Sequence, residues 1–429
     1  MKTIKNPPIK EWTSICKRAT FDQGNLEKKV ITILEDVKQN KNEALIRYTE
    51  LFDRVELSSV EVTNEEIALA KTLVSEELQE AIQLAKSNIG MFHASQKEQE
   101  TKVETTRGIT CWRKSVAIDK VGLYIPGGTA PLFSTILMLG IPAKIAGCKE
   151  IVLCTPPNVK GEIDPAILYT ASLVGVTKIF KVGGAQAIAA MAYGTETVPK
   201  VYKILGPGNQ YVTKAKELVQ QDGVAIDMPA GPSEVLVIAD ETSNPGFIAA
   251  DLLSQAEHGE DSQVVLVGTD ESVIEQVNNE LKLQLNLLDR KEIAEKALGN
   301  SFSVVLNSKE QCIEFSNVYA PEHLIIASLE PFNYIEGITN AGSVFLGNYS
   351  CESAGDYASG TNHTLPTNGC AKNYSGVSLD SFVKKITFQE VTQQGILNIG
   401  NAIELMAEAE GLQAHKNAVT IRLKEINNV

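Results

Sequence analysis

Gln255 and His258 stand three residues apart in Asp251-Leu-Leu-Ser-Gln-Ala-Glu-His-Gly259, a spacing that turns two side chains to one side of a helix. Asn244-Pro245-Gly246 reads as the start of that helix, with proline in its first turn, and Gly259 as its stop. Phe247, Leu252 and Leu253 would form the buried face. A lone histidine at a helix end is ordinarily structural, but this chain has only five histidines. Three of the others occupy polar, loop-rich surroundings late in the sequence: Pro321-Glu322-His323, the stretch from Asp356 to His363, and Ala414-His415-Lys416. Histidines and carboxylates that meet only after folding suit a zinc site with a position left open for substrate. His93, followed by Ala-Ser-Gln-Lys, reads as exposed rather than as a ligand. Glu322 has two readings, a surface carboxylate capping the preceding turn or a general base beside His323.

The elements that must position these residues are of two kinds. Residues 1–20 are polar and proline-marked, an arm with little core of its own. Helical spacing then runs from Asn25 to Phe52, Thr63-Asn-Glu-Glu66 caps another helix, and Ser75 to Phe92 reads as a longer one. Val103 to Trp112 reads as a strand or hairpin. From Val121 the pattern changes to short β-branched runs (Val121–Ile125, Ile151–Cys154, Ile179–Val182, Val201–Leu205, Val224–Ile226) separated by helical stretches. This alternation predicts an α/β fold with a parallel, doubly wound sheet. Three of the strands end in glycine-bearing turns: Tyr124-Ile-Pro-Gly127-Gly128, Gly183-Gly184-Ala-Gln186 and Gly206-Pro-Gly-Asn209. Such turns let a ligand approach backbone amides at the carboxyl ends of strands, or serve only as turns. None matches Gly-x-Gly-x-x-Gly, so the ordinary dinucleotide fingerprint is absent. After a turn-rich hinge, Asp227 to Ser233, a second α/β unit follows, then a long polar loop over about residues 347–375 and a separate tail from about residue 377. A loop of that length suits a functional site or a lid.

Composition narrows the partners. A formal charge of −14 leaves no basic surplus for phosphates and argues against nucleic acid. No apolar run reaches the roughly 18–20 residues of a membrane helix, and the first residues lack the apolar core of a signal peptide. Seven cysteines without regular spacing suggest reduced thiols and a cytoplasmic protein. The length, 429 residues, allows about two to four domains.

Seven ordered stretches resemble the histidinol dehydrogenase family: Tyr124-Ile-Pro-Gly-Gly-Thr-Ala-Pro-Leu-Phe-Ser134, Gly206-Pro-Gly-Asn209, Asp227-Met-Pro-Ala-Gly-Pro-Ser-Glu-Val235, Leu253-Ser-Gln-Ala-Glu-His-Gly259, Pro321-Glu-His-Leu324, Ala354-Gly-Asp-Tyr-Ala-Ser-Gly-Thr-Asn-His363 and Ala414-His-Lys-Asn-Ala-Val419. The resemblance implies oxidation of L-histidinol to L-histidine with two NAD, one zinc per subunit, and a homodimer of interlocked subunits. It implies two incomplete Rossmann-like doubly wound domains. The NAD domain would span 121–233, the main domain 21–120 with 234–376, and a tail from 377 to 429 would reach the partner subunit. Carried over by motif, the zinc ligands would be Gln255, His258, Asp356 and His415, and the catalytic pair Glu322 and His323. NAD would be bound by Tyr124, Gln186 and Asn209. Substrate would be bound by Ser233, Gln255, His258, His323, Asp356, Glu410 and His415, with Glu410 and His415 acting in trans. His363 has no ligand role by this match and reads as a hydrogen-bonded loop histidine. Cys351 stands where relatives commonly carry proline, and a lengthening around Asn158 to Asp164 reads as a surface connection. A metal-dependent hydrolase and a non-catalytic metal-binding protein are the rival classes, separated from this reading by NADH production.

Overall fold

The computed structural model describes residues 1–18, 23–127, 131–228 and 231–427. Gly128, residues 229–230 of the expected hinge, and the ends of the expected arm (19–20) and tail (428–429) lie outside the described residues. From the amino end, β1 (Lys2–Lys5) and α1 (Ile9–Ile15) precede three helices, α2 (Gln23–Asp53), α3 (Asn64–Leu73) and α4 (Glu76–Ala94). Thr63 opens α3 with the capping box its sequence predicts: the Glu66 N–H donates to the Thr63 hydroxyl, and the Thr63 N–H to the Glu66 carboxylate. Strands β2 (Lys102–Thr106) and β3 (Ile109–Ala117) lead to β4 (Lys120–Tyr124). Strands and helices then alternate: α5 (Phe133–Ala146), β5 (Glu150–Thr155), α6 (Pro165–Val174), β6 (Lys178–Lys181), α7 (Gly184–Tyr193), β7 (Lys203–Leu205), α8 (Gln210–Gln221) and β8 (Ala225–Ile226). A second alternation follows: β9 (Glu234–Ala239), α9 (Pro245–Ala256), β10 (Gln263–Gly268), α10 (Glu271–Leu285), α11 (Lys291–Gly299), β11 (Phe302–Val305), α12 (Lys309–Tyr319), β12 (His323–Ala327), β13 (Ser343–Leu346) and α13 (Glu352–Tyr357). β14 (Val383–Val391), α14 (Gln393–Ala409) and α15 (Gln413–Asn427) come last. Among the described residues no helix is long and apolar enough to cross a membrane.

The chain divides into two compact units, Met1–Gln96 with Ile118–Phe382, and Lys97–Ala117 with Val383–Val429. The larger unit holds two parallel sheets, of order β6-β5-β4-β7-β8 and β1-β11-β10-β9-β12-β13. Each is covered on both faces. Along β4 and β5, Val121, Leu123, Ile151 and Leu153 pack with α3 to α6, while Tyr124, Val152 and Cys154 pack with α2 and α7. In β9 the alternation repeats, Val235 and Val237 entering one core and Leu236 and Ile238 the other. Burial on both faces is why these strands read as unbroken apolar runs. The smaller unit is an antiparallel sheet, β14-β3-β2, with α14 and α15 packed on each other. Trp112 stacks on its cross-strand partner Phe388, and a Cβ on Gly400 would stand 2.8 Å from Leu423 Cδ1, so glycine sets how closely α14 and α15 approach.

Three sequence expectations about organisation meet a different arrangement. Within the arm, β1 is an edge strand paired with β11, and Trp12 and Cys16 are buried in the second core; a four-residue strand bounded by lysines is too short to show a period. Helices α2 to α4 pack on the five-stranded sheet rather than with the second α/β unit, because amphipathic spacing marks a buried face without naming its partner. The expected hairpin joins the tail: β3 pairs with β14 along its length, from Ala117↔Val383 to Ile109↔Val391.

Candidate functional site

Asn244 caps α9, its side chain accepting from the N–H groups of Gly246 and Phe247. The helix ends at Ala256 with Glu257 as its cap, earlier than Gly259. His258 therefore lies just beyond it, yet its N–H donates to the Gln255 carbonyl at 3.2 Å, which keeps the pair together. The buried face carries Ile248, Leu252 and Leu253; Phe247, expected there, is exposed and packs on Tyr349. The long polar loop contains α13, which delivers Glu352 and Asp356 one helical turn apart. Ligand atoms of His258, Glu352 and Asp356 all lie within 4.8 Å of one another. Gln255 is fully buried, and with its amide nitrogen turned to the acceptor it donates to both carboxylate oxygens of Glu352.

Glu322 and His323 stand at the start of β12, both buried. Glu322 Oε2 accepts the Glu234 N–H at 2.9 Å, and His323 Nδ1 lies 3.2 Å from the Glu234 carbonyl oxygen. A carbonyl only accepts, so Nδ1 carries a proton, and Nε2 is the nitrogen that faces the rest of the site. Nε2 faces Asp356 Oδ1 at 3.5 Å, and neither atom has a hydrogen bond among the described residues. Burial pushes the Glu322 carboxyl up to about 8, although His323 and the Glu234 N–H oppose it. Burial works against the charged form of His323, but Glu352, Glu322 and Asp356 outweigh it and raise the imidazole to about 10. Burial also lifts Glu352 well above the carboxylate range, helped by Asp356 and Glu322. For Asp356 the His323 imidazole overcomes burial and lowers it. Glu322 and Glu352 are thus held towards the protonated form and Asp356 towards the ionised form, so the cluster beside His323 holds both proton donors and an acceptor.

At the carboxyl ends of the five-stranded sheet opens a cleft of about 1310 Å³ whose lining includes Tyr124, Gln186 and Asn209. Tyr124 ends β4, and its hydroxyl accepts the Gly184 N–H at 3.0 Å. Both amide atoms of Gln186 and the hydroxyl of Thr155 are buried without a partner among the described residues. Asn209 already works as a cap, accepting from Tyr211 and Val212 N–H at the start of α8. The turn before it must be glycine at Gly206, where φ is 128° and a Cβ would meet the Tyr124 carbonyl oxygen at 2.1 Å. That turn is clamped by the buried Lys216–Asp227 pair: Lys216 Nζ donates to the Gly206 carbonyl at 2.9 Å and Asp227 accepts the Gly206 N–H at 2.7 Å.

The larger unit thus gathers Gln255, His258, Asp356, Glu322 and His323, with Ser233 next to Glu234. Glu410 and His415 belong to the smaller unit, exposed at the connection of α14 and α15. Sequence reading missed Glu352; its place four residues before Asp356 on a helical turn was the available signal. It also misjudged His93, which is buried, with Nδ1 on the Ile89 carbonyl and Nε2 against Asn362. His363 is the hydrogen-bonded loop histidine expected, its Nδ1 on the Asp356 carbonyl and Nε2 on Thr135. The 158–164 connection is not remote: Asn158, Glu162, Ile163 and Asp164 line the cleft.

A parallel sheet with an open cleft at its strand ends, joined to a second sheet carrying a buried acid–histidine cluster, is the organisation of a two-site α/β enzyme. The chain matches the histidinol dehydrogenase family over residues 16–423. A histidinol dehydrogenase of Bacteroides fragilis is 60% identical over 426 residues, 99% of this chain and 100% of that protein. Another, from Photobacterium profundum, is 50% identical over 99% of this chain and 96% of its own. The crystal structure of histidinol dehydrogenase from Elizabethkingia anophelis superposes with a TM-score of 0.98 at 62% identity, covering 100% of this chain and 99% of that one. The chain belongs to the histidinol dehydrogenase family and is an NAD-dependent oxidoreductase.

Proposed function

We propose that the chain oxidises L-histidinol to L-histidine through L-histidinaldehyde, a four-electron reaction using two NAD and the last step of histidine biosynthesis. One zinc per subunit would be held by Gln255, His258, Asp356 and His415, with Glu352 beside them. When bound, zinc would anchor the imidazole and amine of the substrate as a Lewis acid, and each NAD would accept one hydride. The chief support is the cluster itself: an all nitrogen–oxygen donor set in which Asp356 Oδ1 is buried with no hydrogen bond and faces the equally orphaned His323 Nε2. For NAD the support is the cleft, which Gln186, with two amide atoms unpartnered among the described residues, lines together with Tyr124 and Asn209.

The first half-reaction takes a proton from the alcohol, and the second takes one from the water that adds to the aldehyde. His323 Nε2 and Glu322 Oε1 would take these protons, their other atoms being committed to Glu234 and the charge of a bound cation lowering both groups from their raised values. Each proton transfer of this kind is worth about 10²–10⁴ in rate. Ser233 lies next to Glu234 at the same strand entrance and would contact substrate. Glu410, pairing with the substrate ammonium, and His415 would come from a partner copy in a homodimer. Their exposure supports this, as does that of Leu405, Met406 and Ile421 on the same two helices. All seven cysteines are unpaired, consistent with work in the reducing cytoplasm.

The test is NADH absorbance on mixing protein, NAD and L-histidinol, with and without a chelator. Two NADH per histidinol, abolished by chelation and restored by zinc, is the expected result. No NADH from folded, zinc-loaded protein would refute the assignment.

A further inference from the structure

Both members of the proposed catalytic pair hang on one residue. Glu234 gives its N–H to Glu322 Oε2 and its carbonyl oxygen to His323 Nδ1, so its main chain fixes the carboxylate and orients the imidazole. Glu234 is the first residue of β9. Its own side chain, 2% exposed, is held from a segment more than 200 residues away: Arg18 Nε donates to Oε1 at 2.9 Å and Arg18 Nη2 to Oε2 at 2.8 Å. The Asn368 N–H adds a bond to Oε1 at 2.9 Å. Arg18 is locked in turn, with Nη1 on the Cys16 carbonyl at 3.1 Å and the guanidinium 3.7 Å over the Tyr319 ring. The planar fork of arginine is what makes the bidentate bond possible.

We infer that Arg18 is a positioning residue for the reaction: through Glu234 it holds Glu322 and His323 at their working geometry. This rests on the reading of Glu322 and His323 as the proton-transfer pair. Stability alone does not account for the arrangement, since a buried ion pair can often be replaced by apolar groups at no cost. A fork locked at both ends matters most where a displacement of about 1 Å costs about 10² in rate.

The test uses the zinc-loaded full chain. Removing Arg18 alone strands a buried carboxylate, so Arg18→Met is combined with Glu234→Gln, whose amide oxygen still accepts the Asn368 N–H. The double variant should melt within a few degrees of the parent, keep its zinc and keep KM for histidinol and NAD. Its kcat should fall by about 10². Arg18→Lys, which keeps the charge but loses the fork, should lose roughly fivefold to tenfold, and it carries the test if the double variant does not fold. When Glu322→Gln is already present, adding the double variant should slow turnover little further, because both act on one geometry. A folded, zinc-loaded double variant with parental kcat, or one that raises KM alone, overturns the proposal. Full turnover in Glu322→Gln itself would instead refute the catalytic pair, which separates the two failures.

Discussion

The two parallel sheets of the larger unit present functional groups at opposite ends. In the five-stranded sheet, Tyr124, Gln186 and Asn209 follow the carboxyl ends of β4, β6 and β7, the usual place for ligands in an open α/β sheet. In the six-stranded sheet, Ser233, Glu234, Glu322 and His323 cluster at the amino ends of β9 and β12. The chemistry differs as much as the position. In the cleft the neutral amide of Gln186 and the hydroxyl of Thr155 have no partner among the described residues, whereas the cluster is a set of buried ionisable groups that set one another's protonation. A surface that binds and releases a cofactor gains from unsatisfied neutral groups. A surface that moves protons needs charges already in place, so that little reorganises during reaction.

This contrast gives variants that should separate cleanly. The largest effect is expected from Glu322→Gln, which should cut turnover by about 10²–10⁴ with bound zinc unchanged, measured by steady-state rates and metal analysis. Asp356→Asn should weaken zinc by roughly 10² or more in a metal-competition titration while leaving NAD affinity alone. Parental affinity would place the metal elsewhere. Gln186→Ala should do the reverse. Losing one or two hydrogen bonds at about 1 kcal/mol each raises the Kd for NAD by about fivefold to thirtyfold, read by calorimetry, with zinc content unaltered. An equal effect on zinc would erase the distinction between the two sheets.

The smallest effect concerns one of the carboxylates that line the cleft. Asp53, at the end of α2, lines it with Oδ2 buried and unpartnered, and burial raises its carboxyl to about 6. A folded-state value above the unfolded one favours the protonated form. Its stability is therefore present below about pH 4 and lost as pH rises through about 6. Asp53→Asn should melt about 1–2 °C above the parent at pH 7.5 without NAD, and the gap should close near pH 4. A gap that grows on acidification would contradict the assigned burial.

Much of the cleft was legible in the sequence because its devices are local. Gly-Gly and Gly-Pro-Gly turns after β-branched runs mark strand ends, and backbone geometry demands glycine there, as at Gly206. The acid–histidine cluster was legible only in fragments. Gln255 and His258 were tied by spacing, but the end of α9 fell before His258 rather than after it. Glu352 was hidden in a stretch whose glycine and serine content reads as loop, and His93 was judged by its polar neighbours when Asn362, far along the chain, decides its surroundings. Arg18 carries no local signal at all, since its meaning lies in Glu234. Residues that act through long-range partners cannot be recognised from their own neighbourhood.

The pairing of β1 with β11 sets the order in which the molecule can be completed. Lys2 is matched with Phe302, so this strand finds its place only after 300 further residues have been made. At a synthesis rate of about 5–20 residues per second, that is a wait of roughly 15–60 s on the ribosome. The five-stranded sheet runs from Lys120 to Ile226 and has all its strands well before then. Meanwhile the waiting segment, Lys-Thr-Ile-Lys, is too short and too charged to recruit a wrong strand from a neighbouring nascent chain.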